Sequence, residues 1–156
     1  MFNESTIPAA LDKTNPTPGY ATEHARQWSA EISKYAGFVF VTPQYNWSLP
    51  ASVKNALDYL FYEWHGKCAF VISYGGHGGG KAKAALEIVL GAVKIKVTTG
   101  LEMTINPREG TMIGERDGKD MDVTENLVGK WVEAGVPGMV ERSWAELVGT
   151  LGEGNL

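Results

Sequence analysis

From Thr22 onward the chain alternates two kinds of apolar pattern. Ala25, Trp28, Ile32 and Tyr35 recur at helical spacing, with Thr22 placed to cap the first turn and Glu23 suited to its dipole. Gly37 ends that helix and opens Gly37-Phe-Val-Phe-Val-Thr42, an unbroken β-branched and aromatic run closed by Pro43, which predicts a strand buried on both faces. Val53, Leu57, Leu60, Phe61 and Trp64 return to the helical period, with Ser48 as candidate cap and Pro50 tolerated in the first turn. Cys68-Ala-Phe-Val-Ile-Ser73 predicts a second buried strand and Ala82 to Ala92 a helix. Ile95 to Ile105 reads as a third strand region interrupted at Thr99-Gly100. Val123, Leu127 and Trp131, then Val140, Trp144, Leu147, Val148 and Leu151, predict two last helices on either side of Gly135-Val-Pro-Gly138. Met1 to Gly19, with Pro8, Pro16 and Pro18, and the polar, Gly-rich stretch Asn106 to Asp122 read as loops.

Strands alternating with helices of about a dozen residues argue for parallel βαβ units, and right-handed crossovers place helices on both faces of the sheet. The expected class is α/β. At 156 residues the chain suits one domain over 1–156 and is too short for two ordinary ones.

Fourteen Lys plus Arg against eighteen Asp plus Glu give a net charge of −4. No basic surface advertises nucleic acid or anionic lipid. The longest apolar run, Gly37 to Val41, is far below the roughly 20 residues of a membrane helix, and no export signal opens the chain. A lone cysteine, Cys68, cannot form an internal disulfide, sits mid-strand as a small hydrophobe, and fits a reducing cytoplasm.

In an open parallel sheet the loops leaving the carboxyl ends of the strands form the binding crevice. Two such loops are unusual. Thr42-Pro-Gln-Tyr-Asn-Trp-Ser-Leu-Pro50 offers flat apolar surface from Tyr45 and Trp47 beside the Asn46 amide, which suits a planar heteroaromatic ligand. A turn plus helix cap with Trp47 folded into the core accounts for the same residues. Ser73-Tyr-Gly-Gly-His-Gly-Gly-Gly80 has five glycines in six positions; without Cβ atoms its N–H groups can approach a ligand edge, and the following helix start adds positive potential. A tight flexible turn is the plain alternative, because the spacing matches neither the dinucleotide fingerprint nor the phosphate loop. His77 lies inside this run as a possible donor or a solvent-exposed loop residue. His24 and His65 read as surface residues, and three histidines so far apart give no support to a metal site. Ser73 lacks the GxSxG context of a hydrolase. Lys81, Lys83, Lys94 and Lys96 read as a solvated face.

The segments Thr42-Pro-Gln-Tyr-Asn-Trp-Ser-Leu-Pro-Ala-Ser-Val-Lys-Asn-Ala-Leu-Asp58 and Ser73-Tyr-Gly-Gly-His-Gly-Gly-Gly80, in this order and each after a predicted strand, resemble the NADPH-dependent FMN reductase family of flavodoxin-like proteins. The resemblance covers about Thr22 to Ile105. It implies a flavodoxin-like three-layer α/β/α fold with a parallel sheet, FMN as cofactor and NADPH as reductant. By the same resemblance Pro43, Gln44, Tyr45 and Asn46 would lie along one side of the flavin ring, and Ser73, Gly75, Gly76, His77, Gly78 and Gly79 would border its pyrimidine edge. Members of the family open with a strand, a Gly-Ser-x-Arg loop that binds the FMN phosphate, a helix and a second strand, and no Gly-Ser dipeptide occurs in this chain. The expectation is therefore an N-terminally truncated form of the fold, with Gly37 to Thr42 as an apolar edge strand.

Two functions follow from the resemblance. The first is a flavoenzyme passing hydride from NADPH through FMN to a small-molecule electron acceptor such as a flavin or quinone, with no catalytic side chain required. The second is a non-catalytic remnant that keeps the fold as a binding or interaction module. Either way the open edge, together with extensive apolar helix faces such as the one bearing Phe61 and Trp64, leads to the expectation of a homodimer or larger assembly, or of poor solubility.

Overall fold

The computed structural model describes residues 4–105 and 125–153. Helix α1 spans Glu23–Ser33. Thr22 caps it as expected, its Oγ1 accepting the Ala25 N–H at 3.2 Å, and Ala25, Ser29 and Ile32 form its buried face. Tyr35 falls beyond the helix end and stands exposed, outside the face its spacing suggested. The segment before α1 forms two 3₁₀ turns, Pro8–Ala10 and Thr17–Gly19. It is tied down by Glu4, whose carboxylate accepts the Thr22 hydroxyl at 2.8 Å, and by the Tyr62 hydroxyl, which donates to the Ala9 carbonyl at 2.9 Å.

Strand β1 (Gly37–Pro43) pairs parallel with β2 (Cys68–Gly75), in register from Gly37 opposite Cys68 to Pro43 opposite Tyr74. On the other side of β2 lie β3 (Lys96–Val97) and β4 (Leu101–Thr104), both parallel to β2 and separated at Thr98–Gly100, where the sequence placed the interruption. So β2 is central, and β1 has one neighbour among the described residues.

Helix α2 (Ala51–Asp58) joins β1 toward β2 and α3 (Gly80–Ala92) joins β2 to β3. The helical period through Trp64 is broken: α2 stops at Asp58 and a separate 3₁₀ turn, Tyr62–Trp64, follows. The buried Glu63 carboxylate accepts the Phe61 N–H at 3.2 Å and the Ser29 hydroxyl at 2.6 Å, and these bonds hold the chain out of the helix. Pro50, not Ser48, is the capping position of α2, because Ser48 closes a turn with Tyr45. Beyond the loop expected over Asn106 to Asp122, which lies with Val123 outside the described residues, come α4 (Glu125–Glu133) and α5 (Val136–Glu153). Gly135, at φ +73°, makes the break between them.

The core has two sides. Phe38, Phe40, Ala69 and Val71 pack with Ala25, Ile32, Leu57, Leu60, Trp64, Leu86 and Leu90, so α1, α2 and α3 cover one face of the sheet. On the other face Cys68, Phe70 and Ile72 pack under Leu147 and Leu151 of α5. This is the three-layer parallel α/β/α arrangement of the flavodoxin-like fold. One expectation fails: β1 is not buried on both faces. Val39 and Val41 are 40% and 62% exposed, since α5 lies over β2 and leaves their side of β1 open. His65 also departs from its reading as a surface residue, for its ring packs on Phe61 and Tyr62 and its Nε2 is sealed from solvent.

Candidate functional site

Because the strands run parallel, the carboxyl ends of β1, β2 and β4 share one edge, and the two loops singled out in the sequence meet there. The β1 loop turns at once. Tyr45 and Ser48 exchange backbone hydrogen bonds (Tyr45 N–H to Ser48 O at 3.0 Å, Ser48 N–H to Tyr45 O at 2.9 Å), and the residues between them, Asn46 and Trp47, have φ of +49° and +64°. This is the primed turn that favours Asn followed by Gly. Trp at the second position is strained, and it is not in the core: Trp47 is 63% exposed and Tyr45 61%. The Trp47 ring lies 5.7 Å from the His77 ring, centroid to centroid, with 35° between their planes, so the two loops touch at their tips.

The β2 loop folds back on its own strand. Ser73 is fully buried and its hydroxyl donates to the Gly79 carbonyl at 2.8 Å. A Cβ on Gly79 would stand 2.3 Å from the Ser73 carbonyl carbon, so only glycine lets the loop close this tightly. Gln44 links the loops from beneath. Its N–H donates to the Tyr74 carbonyl at 2.7 Å, and its side-chain Oε1 accepts the N–H groups of Lys81 and Ala82 at 2.9 and 3.1 Å. Gln44 thereby supplies the cap of α3, whose own capping position, Gly79, has no side chain to offer. The same bonds occupy two of the N–H groups at the helix start to which the sequence reading gave a positive potential.

All ten candidate residues therefore lie at one edge, with different tasks. Pro43, Tyr45, Asn46, Gly75, Gly76, His77 and Gly78 line the loops, while the side chains of Gln44 and Ser73, the latter through the Gly79 carbonyl, hold those loops in place. A third wall was not foreseen. Glu102 on β4 sets its carboxylate against Gly80, and Thr104 pairs with Gly75. Nothing in the sequence near Glu102 marks it; its place follows from the β2–β4 register. Beside this wall a cavity of about 330 Å³ opens toward α4, lined by Met103, Leu127 and Trp131, and the Trp131 indole N–H donates to the Thr104 carbonyl at 3.2 Å.

The sequence model of the NADPH-dependent FMN reductase family matches residues 2–108. The chain belongs to this family. An NAD(P)H-dependent FMN reductase of Schizosaccharomyces pombe is 45% identical over 98 residues, which are 63% of this chain and 49% of that protein. One of Saccharomyces cerevisiae is 45% identical over 103 residues, 66% of this chain and 52% of that one. The chain spans about half the length of the curated relatives it matches. Among solved structures, the flavoenzyme NAD(P)H:(acceptor) oxidoreductase FerB of Paracoccus denitrificans superposes with a TM-score of 0.53 at 24% identity, over 85% of this chain and 75% of that one, a likeness of fold.

Proposed function

We propose that this chain is an NAD(P)H-dependent flavin oxidoreductase whose cofactor, FMN, lies against the two loops at the strand ends, with a flavin, quinone or similar small molecule as electron acceptor. The observation that carries this reading is the strained turn at Asn46 and Trp47: it holds aromatic faces in solvent, opposite a loop of glycines, where a flat ring system can be received. When bound, FMN supplies the two-electron redox chemistry between NADPH and the acceptor. The protein's own residues position it. Pro43, Tyr45 and Asn46 would flank the ring from the β1 side, and the backbone of Gly75, Gly76, Gly78 and Gly79, with His77, would approach its polar edge. Gln44 and Ser73 fix the separation of the two loops. The membership of the reductase family supports the reading, and so do the relatives named for this activity. Among the described residues no helix is long and apolar enough to cross a membrane. The buried free thiol of Cys68 suits a reducing compartment, and we place the chain in the cytoplasm on that ground.

Titrating FMN and riboflavin side by side into the purified chain, followed by flavin fluorescence and by NADPH consumption with a quinone present, tests this. Both flavins are expected to be quenched, because the two loops at the strand ends, held together by Gln44, meet the ring system that FMN and riboflavin share. Protein that quenches neither flavin and consumes no NADPH overturns the proposal in favour of a non-catalytic interaction module.

A further inference from the structure

We propose that the end of the molecule opposite the flavin loops carries a binding site for a small tetrahedral oxyanion, a phosphate or sulfate group, held by Lys13, His65 and Lys67. The loops after β1 and β2 leave the carboxyl ends of the strands. His65 and Lys67 stand just before β2 and Lys94 just before β3, at the amino ends. There a cavity of about 200 Å³ opens between the segment that precedes α1, the end of α1 and the chain leading into β2.

The chemistry of its wall selects the ligand. Three hydroxyls line it, and each already donates elsewhere: Thr14 to the Asp12 carboxylate at 2.8 Å, Ser33 to the Ser29 carbonyl at 2.7 Å and Tyr62 to the Ala9 carbonyl at 2.9 Å. The one carboxylate in the wall, Glu63, is taken up by the Ser29 hydroxyl and the Phe61 N–H. Among the described residues no group of three or more metal-binding side chains comes together. The donors left are the ammonium groups of Lys13 and Lys67 and the His65 ring. Such a set suits a ligand that only accepts hydrogen bonds and carries negative charge, rather than a cation or a sugar.

Charge points the same way. Lys67 is half-buried, its Nζ donates to the Ile32 carbonyl and lies 5.4 Å from the centre of the Phe38 ring, and two of its three N–H groups remain for a ligand. Among the described residues no carboxylate forms an ion pair with it. Burial accordingly holds Lys67 below the ordinary lysine range, against the field of Glu63. Lys94 is brought close by the backbone, its carbonyl accepting the Gly66 N–H at 3.2 Å, and the charges of Lys94 and Lys13 both bear on the His65 ring. Three lysines thus stand against two carboxylates, Glu63 in the wall and Asp12 beside Thr14. The excess is one positive charge, and it grows by one when His65 takes a proton. A bound oxyanion supplies the counter-charge that Lys67 lacks.

Histidine ring NMR of the full chain, with sulfate titrated in at constant ionic strength, tests this. The chain has three histidines, so His24 and His77 serve as controls in the same spectrum. Sulfate keeps its charge between about pH 5.5 and about pH 7.5, where imidazole titrates. It is expected to saturate at millimolar concentration, to move the His65 signals well ahead of the other two, and to bind at least about threefold more tightly at the acid end, because the protonated ring adds a charge and a donor. Inorganic phosphate should occupy the same site. Glycerol phosphate binding as well as the free ion marks a phosphate ester as the ligand, and its exclusion marks the free ion; both are the class proposed. Lys13→Gln and Lys94→Asn, the latter suited to the left-handed backbone at that position, should each weaken sulfate about threefold and together about tenfold, with the far-ultraviolet circular dichroism unchanged. A His65 signal that sulfate leaves in place overturns the proposal. So do shifts of equal size at all three histidines, or binding indifferent to the double substitution.

Discussion

The Ser73 hydroxyl donates to the Gly79 carbonyl at 2.8 Å, pinning the start of α3 to the end of the strand six residues earlier. Both partners are buried, so the loop has no slack there. Gly79→Ala should therefore force the loop outward, at about 1–3 kcal/mol of stability, and lower flavin affinity with it. Ser73→Ala should cost about 1–2 kcal/mol by leaving the carbonyl unpaired. Thermal melts of the two variants, each with a flavin titration, check both statements; an unchanged melting temperature in Gly79→Ala would contradict the tight closure.

Gln44 holds two amides of a helix that begins 36 residues later in the chain. Gln44→Ala is expected to destabilise by about 1 kcal/mol, as loss of a cap does. Gln44→Glu keeps an acceptor there and adds a negative charge at a helix N-terminus, so it should stay within about 0.5 kcal/mol of the parent. Urea unfolding midpoints at equal slope give the comparison.

Trp47 has the φ of a glycine and most of its side chain in solvent. Trp47→Gly should therefore raise stability, by about 1 kcal/mol, by removing the left-handed strain at little loss of packing. The same substitution should weaken flavin binding by removing an aromatic face. Opposite signs in the two measurements are the expected result, and a loss of stability would show that the ring supports the fold.

His65 sets a pH dependence. Burial, helped by the charges of Lys94 and Lys13 and opposed by that of Glu63, holds its imidazole below the ordinary value of 6.5. The unfolded ring takes a proton near 6.5 and the folded ring only at lower pH, so between those two values the unfolded state binds more protons. Stability should fall as the pH drops through that window, and no further on this account below it. His65→Phe also removes a ring nitrogen that has no hydrogen-bond partner among the described residues. Its denaturation midpoint should lose less on acidification than the parent's, while its stability at neutral pH is maintained.

The strands and most of their helices were legible because unbroken β-branched runs and helical periods leave few alternatives. The break at Thr98–Gly100 was legible for the same reason. Both site loops stood out by composition. Their internal wiring did not: that Gln44 caps α3, or that Ser73 holds Gly79, depends on which loop lies against which, and the side chains themselves read equally well as ligand contacts. Glu102 was silent because its position comes from strand register alone. The exposure of Val39 and Val41 was missed by the pattern of the strand itself, since a run of apolar residues looks the same whether a helix covers one face or both.

Cys68 lies beneath Leu147 and Leu151, 3% exposed, with burial pushing its thiol above the usual range. The chain has one cysteine, and a reagent that needs the thiolate meets it only when α5 lifts from the sheet. Its rate of alkylation is thus a built-in clock for that single event. Timed across denaturant it separates the loosening of the last helix from the melting of the strands, in a protein that needs no added label to be read.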